Sequence, residues 1–587
     1  MDLSRGMSRQ FGRIPPVVAT AASIRQGWTR RRRASPGELD ALGVGSPLLA
    51  QLLMNRGLTC PAAARHYLEV SRPTAPALAD LAGLDDAVRR IERAVDAGQK
   101  IVVYGDYDVD GLSGSTILQR TLLALGASAE VFIPHRDRDG YGLNTDVLHV
   151  LAEQQAGLVI TVDCGVTAAA EVAAANAIGL DVVVTDHHDV PAELPAAVAI
   201  VNPHRPDCPY PFKQLAGAGV ALKVAQALAE RRLNPAARAQ LEPALLQLAA
   251  LGTVSDVMPL IGENRAIVRH GLHALNHRPT AGLSALIRNA ALARPWIEAE
   301  DIAFRIGPRL NAAGRIADAT TTQQLLATNS ATEAEVLALE LEALNDERRT
   351  LAGAALDDAR DTIGVDSGSL PPALVVQSRY PAGVLGLVAV RLVEETGRAV
   401  AVLEKSDGMS RGSVRVPDGI SAIEAVTACG DLLLRFGGHR GAAGFAIDAS
   451  NVPAFAEQFV QAVARQPTVT LAVPDLVAEC RLRPGTVTEG LLDLLAQVGP
   501  FGQGAPLPLF ESAQLKVREA RTVGERHLRL KLWGEHRLLT AIAFGAAHEP
   551  PPPLGSTIDL LYRLKPNVWQ GQRRVDLEVV AWRPSEP

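Results

Sequence analysis

Ile101-Val102-Val103-Tyr104-Gly105-Asp106-Tyr107-Asp108-Val109-Asp110-Gly111 is an apolar run that ends in three alternating aspartates and a glycine. Two more runs end in the same manner: Val159-Ile160-Thr161-Val162 leads into Asp163-Cys164-Gly165, and Val182-Val183-Val184-Thr185 into Asp186-His187-His188. Short, continuous β-branched runs suit strands buried on both faces. Helical stretches lie between them, Ser113 to Leu125 and Ala168 to Ala177, with Gly126 and Gly179 where C-cap glycines belong. Strand, helix, strand in repetition predicts right-handed crossovers and a parallel sheet. Ligands of such sheets bind beyond the carboxyl ends of the strands, which is where all three acidic turns fall. At ~4 Å and an effective dielectric of ~20, two carboxylates repel by roughly 4 kcal/mol, so the cluster calls for divalent cations.

The chain has 587 residues, too long for one core, so several domains are expected. Its content of 47% hydrophobic and only 4% aromatic residues favours a helix-rich α/β protein. A net charge of -6 excludes a general polycation, so any nucleic-acid contact must be a local patch. Five scattered cysteines without a CxxC argue against structural zinc and disulfides and for a reducing cytoplasm. No run approaches the ~20 apolar residues of a membrane span.

The expected organisation has five parts. Residues 1–46 form a flexible basic arm containing Arg30-Arg31-Arg32-Arg33, a composition that a transit peptide shares. Residues 47–325 form the parallel-sheet catalytic domain, prefaced by amphipathic helices within Ser46 to Leu68 and Leu81 to Ala97. Residues 326–364 form one long bridging helix, opened by Ser330 and Glu333 as a capping box and stopped at Gly364. After a linker at Asp366 to Pro372, residues 365–465 form a second α/β domain containing Phe436-Gly437-Gly438-His439-Arg440-Gly441. Residues 466–587 alternate in the manner of a small antiparallel domain, with Pro550 to Pro553 in a loop.

In a continuing strand Asp106, Asp108 and Asp110 would share one face. An acidic surface turn would also explain this motif alone; adding Asp163, Asp186-His187-His188 and Asp256 makes a metal site the better account. Carboxylate and imidazole donors without thiolate suit two Mn²⁺ or Mg²⁺ ions. Such a pair activates a water on one side of a phosphorus and stabilises the leaving oxygen on the other. The glycine cluster gives backbone amides room near phosphate oxygens, with His439 and Arg440 as further donors, although a tight strand-to-helix turn would use the same glycines.

These motifs resemble the DHH phosphoesterase superfamily and, within it, the RecJ family of bacterial single-strand-specific 5′ to 3′ exodeoxyribonucleases. The similarity runs from about Pro47 to the C-terminus and includes Ser255-Asp256, Arg309-Leu310-Asn311-Ala312 and Gly499-Pro500-Phe501-Gly502. It implies metal ligation by Asp108, Asp110, Asp163, His187, His188 and Asp256, with Asp106 either a ligand or behind one, and Asp186 orienting the histidines. Asp108, Asp110, Asp163, His187 and His188 would be the catalytic set. By the same resemblance, substrate would meet Arg136, Arg309, Asn311, Arg315, Ser413, Arg415, Gly437, Gly438 and His439, with Ser413 and Arg415 on a terminal phosphate. The second lobe would be a DHHA1-like domain, and the last an OB-like β-barrel offering Trp533, Phe544 and Trp569 beside Arg529, Lys531, Arg573 and Arg574. Single-stranded DNA, a single-strand-binding protein and a RecQ-type helicase are the implied partners of a monomer.

Two departures stand out. Arg379-Tyr380 precedes Pro381-Ala382-Gly383-Val384 where such chains show Trp-His, and Gly502-Gln503-Gly504-Ala505-Pro506 lacks an Asn-Pro pair. Two other readings share the superfamily: a phosphoesterase of short oligoribonucleotides or cyclic dinucleotides, which needs no barrel, and a noncatalytic scaffold, which would have lost ligands that this chain keeps.

Overall fold

The computed structural model describes residues 27–69, 78–290, 296–364, 370–467, 476–569 and 572–586. The basic stretch before Gly27 and most of the expected Asp366–Pro372 linker lie outside these residues. Residues 27–46 are not a flexible arm. Strand β1 (Trp28–Arg30) pairs in parallel with β12 (Leu476–Ala478), and Trp28 is buried. The arginine run is neutralised by carboxylates: Arg30 meets Glu511 at 3.2 Å, Arg31 meets Glu479 at 3.6 Å and Arg32 meets Glu38 at 2.8 Å. Ser35 then caps a short helix, Pro36–Ala41, through a complete capping box with Glu38.

The next two helices, Pro47–Met54 and Pro61–Leu68, also join the far end of the chain. Leu49, Leu52, Leu53 and Ala64 share a core with Leu491, Leu495, Phe510 and Leu530, so this segment belongs with the C-terminal unit and not with the catalytic sheet. Of the helices expected to preface the sheet, the one that packs on its core is Leu84–Asp96.

The catalytic sheet has five parallel strands: β2 (Lys100–Tyr104), β3 (Ala129–Phe132), β4 (Ala156–Val162), β5 (Asp181–Thr185) and β6 (Ala199–Val201), in the order β3-β2-β4-β5-β6. Its central valines and isoleucines are fully buried, each contributing about 1.5–3 kcal/mol of apolar transfer. Helices from Gly217 to Ala327 cover one side and share that core.

The long helix spans Ala331–Ile363, 33 residues, or ~50 Å. Ser330 accepts from the Glu333 amide, and Gly364 stops the helix at φ 61. Ala334, Ala338 and Leu341 pack on the first lobe, whereas Ala355 and Ala359 pack on the second, so one rigid rod carries both. The second lobe is a mixed sheet, β10-β11-β9-β8-β7, built from β7 (Ala373–Ser378), β8 (Ala399–Glu404), β9 (Met409–Arg415), β10 (Leu433–His439) and β11 (Ala442–Asp448). The glycine cluster is therefore a β10–β11 hairpin, not a strand-to-helix turn.

The C-terminal strands are β13 (Cys480–Arg481), β14 (Phe510–Val523), β15 (His527–Gly534), β16 (Arg537–Ala543), β17 (Thr557–Trp569) and β18 (Gln572–Pro584). The order β14-β15-β16-β18-β17 closes on itself through β14–β17 pairing, which makes a five-stranded barrel and leaves none of these five as a free edge. All five cysteines are unpaired, and no described helix is long and apolar enough to cross a membrane.

Candidate metal centre and phosphate cradle

The three aspartates of the first motif do not continue a strand. β2 ends at Tyr104, and Asp108 becomes the N-cap of the helix Val109–Ala124, its Oδ1 accepting from the amides of Asp110 (2.9 Å) and Gly111 (3.1 Å). The turn needs Gly111, because a Cβ there would lie 2.6 Å from the Asp106 amide nitrogen. Asp110, one position into the helix, points across the sheet edge: its two oxygens accept from Gly217 N (2.6 Å) and Ala218 N (2.9 Å), the first amides of the helix Gly217–Arg232. The helical turn still gathers the carboxylates, since Asp106, Asp108 and Asp163 bring ligand atoms within 4.8 Å of one another.

Asp163 follows β4 in a left-handed conformation, φ 64, which costs a non-glycine residue about 1–3 kcal/mol and marks a constrained site. Asp186 follows β5 and spends both oxygens on orientation. Oδ1 accepts from His187 N (2.7 Å), His188 N (3.1 Å) and His188 Nδ1 (2.7 Å), and Oδ2 from Val166 N (3.0 Å). His187 is the one whose outer nitrogen faces the aspartates. His187 Nε2 lies 3.0 Å from Asp163, 3.7 Å from Asp256 and 3.8 Å from Asp110. Three overlapping donor groups result: Asp163 with His187 and His188, Asp110 with His187 and Asp256, and Asp106 with Asp108 and Asp163.

The electrostatics demand positive charge. Burial, followed by repulsion from Asp108, pushes Asp106 up to about 8. Burial and neighbouring carboxylates likewise raise Asp110, Asp163 and Asp256. Asp186 is the exception: burial opposes its charge, but the His188 hydrogen bond and the Val166 amide outweigh it and lower its value. Asp106 Oδ1 and Asp163 Oδ1 are buried and accept no well-formed hydrogen bond. Buried orphan carboxylate oxygens beside imidazole nitrogens, with the adjacent Cys164 thiol raised by burial and so no thiolate, fit Mn²⁺ or Mg²⁺.

Across the cleft, one face of the second sheet is aimed at this cluster. Register places His439, Ala442 and Arg415 in one cross-strand row, Gly437, Gly444 and Ser413 in the next, and Arg435, Ala446 and Arg411 in a third. The face is therefore cationic at both ends with a floor of small residues, and a Cβ on Gly437 would meet open space. His439 stacks on His188 across the lobes, centroids 5.9 Å apart and planes 11° apart. Arg411 clasps Asp137 of the first lobe, also donating to its carbonyl at 2.8 Å. Arg415 donates to Ser413 Oγ at 2.9 Å.

Arg136 donates to the Gly314 carbonyl (2.9 Å) and lies 3.9 Å over the Tyr107 ring, and Arg315 donates to the Gly383 carbonyl of the second lobe (3.1 Å). Burial first, and then the neighbouring Arg136, Arg348 and Arg415, depress Arg315 to about 10, so four guanidinium groups lie close together here. Arg348 is the member that sequence reasoning missed. It sits on the long helix with its Nε buried and unpartnered, its Nη2 donating to Asn345 at 2.9 Å. The signal was its spacing: Leu341, Asn345 and Arg348 follow i, i+4, i+7 on one stripe.

Other predicted residues go elsewhere. Arg309 turns its fork onto Glu342 of the long helix (2.6 and 3.0 Å) and onto the Arg305 carbonyl, so its charge is spent on bracing that helix. Asn311 accepts from Val109 N at 3.1 Å and so fixes the helix that bears Asp110. Gly438 is required by the hairpin itself, since a Cβ would lie 2.5 Å from Ala443 Cα. Arg379 pairs with Asp358 on the long helix at 3.0 Å, so this departure packs beside that helix. On the barrel, Trp533 is 37% and Phe544 43% exposed, and the Trp569 side chain is outside the described residues.

A parallel sheet that delivers aspartates and a DHH triplet to one edge, rod-coupled to a glycine-floored cationic sheet, defines a DHH phosphoesterase with a DHHA1 lobe. Residues 100–253 match the DHH family, N-terminal domain, residues 371–465 the DHHA1 domain, and residues 478–581 the RecJ OB domain. The chain is 34% identical to the single-stranded-DNA-specific exonuclease RecJ of Salmonella typhimurium, over 93% of this chain and 97% of that one. Crystal structures of Thermus thermophilus RecJ with Mn²⁺ and with Mg²⁺ superpose with TM-scores of 0.79 and 0.73, at 33% and 32% identity. Each covers 96% of this chain, and 80% and 79% of the respective relative. The chain belongs to the RecJ family.

Proposed function

We propose that the protein is a single-strand-specific 5′ to 3′ exodeoxyribonuclease that releases 5′-mononucleotides, acting in DNA recombination and repair. The observation that carries the reading is the set of overlapping carboxylate–imidazole donor groups at one sheet edge, faced across the cleft by the Ser413 and Arg415 strand and joined to that lobe by the His439–His188 stack. Asp106, Asp108, Asp110, Asp163, His187, His188 and Asp256 would hold two Mn²⁺ or Mg²⁺ ions, which supply the charge that activates the attacking water and stabilises the leaving oxygen.

The residues of the chain do the rest. Arg136, Arg315, Arg348 and Arg415 with Ser413 would grip the 5′ phosphate, while the Gly437 floor and His439 carry the next phosphate over the carboxylates. Water oxygen bonds to phosphorus, and the bond to the 3′ oxygen of the first nucleotide breaks. That oxygen leaves with a proton, and the new 5′ phosphate stays on the shortened strand, ready for the same arginines. The barrel extends the track: Arg529, Lys531 and Trp533 point outward between the buried Leu528, Leu530 and Leu532, in the pattern of an OB-fold strand that stacks bases and follows phosphates. A barrel of this size has no part in hydrolysing dinucleotides. A single-strand-binding protein and a RecQ-type helicase would present the strand to a monomer in the bacterial cytoplasm.

The test is a digest of 5′-labelled single-stranded and duplex DNA with Mn²⁺, with Asp108→Ala as control. Labelled mononucleotide from single strands alone is the expected result. Cleavage confined to dinucleotides, or none at any metal concentration, overturns the reading.

A further inference from the structure

Asp256 differs from the other proposed ligands in that no strand of the parallel sheet delivers it. It caps the helix Pro235–Ser255, and the chain then turns through Val257 at φ 57, a β-branched residue in the left-handed region and 59% exposed. Such a conformation persists only where surroundings over-determine it. Three restraints come from the catalytic lobe: Val257 N to Val254 O (3.2 Å), Met258 N to Thr253 O (3.1 Å) and Asn264 Nδ2 to Pro259 O (3.1 Å).

The fourth comes from the barrel unit. Leu260 N donates to Gln503 O at 2.7 Å, and Gln503 sits in a tight turn closed by Gly502 N to Ala505 O (2.9 Å) and Ala505 N to Gly502 O (3.1 Å). The fit is close. A Cβ on Gly502 would lie 2.7 Å from Leu260 Cδ1, so the leucine side chain would have to shift, and Gly504 adopts φ 69, which favours glycine, with a Cβ there 3.1 Å from Pro259 Cβ. Ala505 packs against the catalytic core, in which Leu260 is buried. This is the same turn in which the chain lacks the usual Asn-Pro pair.

We infer that the Gly502–Ala505 turn is a positioning element for the metal centre: by seating on Pro259-Leu260 it holds the strained Asp256 turn, so docking of the barrel unit sets the affinity for the ion that Asp256 shares with Asp110 and His187. The inference rests on Asp256 being a ligand, as proposed above. The barrel would thereby serve the chemistry as well as the DNA track.

The test is calorimetric titration of metal-free full-length protein with Mn²⁺, beside melting in EDTA and single-strand affinity in EDTA. Gly502→Ala is expected to weaken one of the two ions about tenfold, with DNA affinity unchanged. Adding Leu260→Val, which removes the atom that the new Cβ would strike, is expected to restore most of the loss. Gly504→Ala supplies a second variant should Gly502→Ala fail to fold. Unchanged Mn²⁺ binding in a folded glycine variant, or a loss that Leu260→Val does not repair, overturns the inference. Asp256→Asn separates the two readings: if it still binds both ions as the parent does, the ligand assignment itself falls.

Discussion

Asp186→Asn should cripple metal binding although Asp186 faces no ion. Its carboxylate accepts four hydrogen bonds, from His187 N, His188 N, His188 Nδ1 and Val166 N, which asparagine cannot match with one oxygen and one NH₂. Leaving one or two of these buried donors unmet costs about 1–3 kcal/mol each. Two consequences follow. The apo protein should melt earlier, and His188, no longer fixed through Nδ1, should present its other nitrogen in the wrong tautomer or rotation part of the time. Loss of such an outer partner weakens metal binding by about 10–100-fold, or ~1.4–2.7 kcal/mol. The assay is the Mn²⁺ concentration for half-maximal cleavage of a 5′-phosphorylated single strand, with KM for DNA measured at saturating Mn²⁺. A rightward metal shift with little change in DNA KM is expected. An unshifted metal curve would refute the orienting role.

Asp163→Ala should abolish cleavage yet melt at least as high as the parent in EDTA, because it removes a buried carboxylate repelled by its neighbours; more than a few per cent residual activity would sink the two-ion account. Apo stability should fall as pH rises. Asp106 titrates near 8 when folded and near 3.9 when unfolded, so its folded form holds the extra proton and stability is lost as pH climbs through about 8. Melts at pH 5 and pH 8.5 in EDTA should diverge in that direction, Mn²⁺ should narrow the gap, and the opposite slope would contradict the site's charge balance. Arg309→Ala should cost about 1–3 kcal/mol of stability by breaking its fork to Glu342 while leaving DNA KM alone, whereas Arg348→Ala should raise KM about tenfold with little change in melting. A reversed pattern would exchange the two roles.

Much of this was legible in the chain because the strands are buried on both faces. A run such as Val182-Val183-Val184 can hardly be anything else, and the turn after it must then sit at the sheet's ligand edge. The long helix announced itself by Ser330 and Gly364. What failed was what depends on hydrogen-bond and charge partners, local or distant, that the residue spacing does not show. Asp106, Asp108 and Asp110 alternate like a strand, but Asp108 captures its own downstream amides and starts the helix early. The arginines near the N-terminus suggested a free arm because Glu511 and Glu479, which neutralise them, lie at the other end of the chain. Arg309 and Arg348 are both arginines near a cleft; Glu342 takes the fork of the first, whereas the second donates to Asn345 and keeps a buried, unpartnered Nε.

The central claim is that the aspartate–histidine cluster is a two-ion hydrolytic centre facing a 5′-phosphate grip. Anomalous diffraction at the manganese edge, from crystals holding Mn²⁺ and a 5′-phosphorylated phosphorothioate single strand, tests it most directly. Two peaks about 3.5–4 Å apart among Asp108, Asp110, Asp163, His187, His188 and Asp256 are predicted, with the terminal phosphate against Arg415. A single peak, peaks elsewhere, or a strand whose 3′ end enters the cleft would contradict the account.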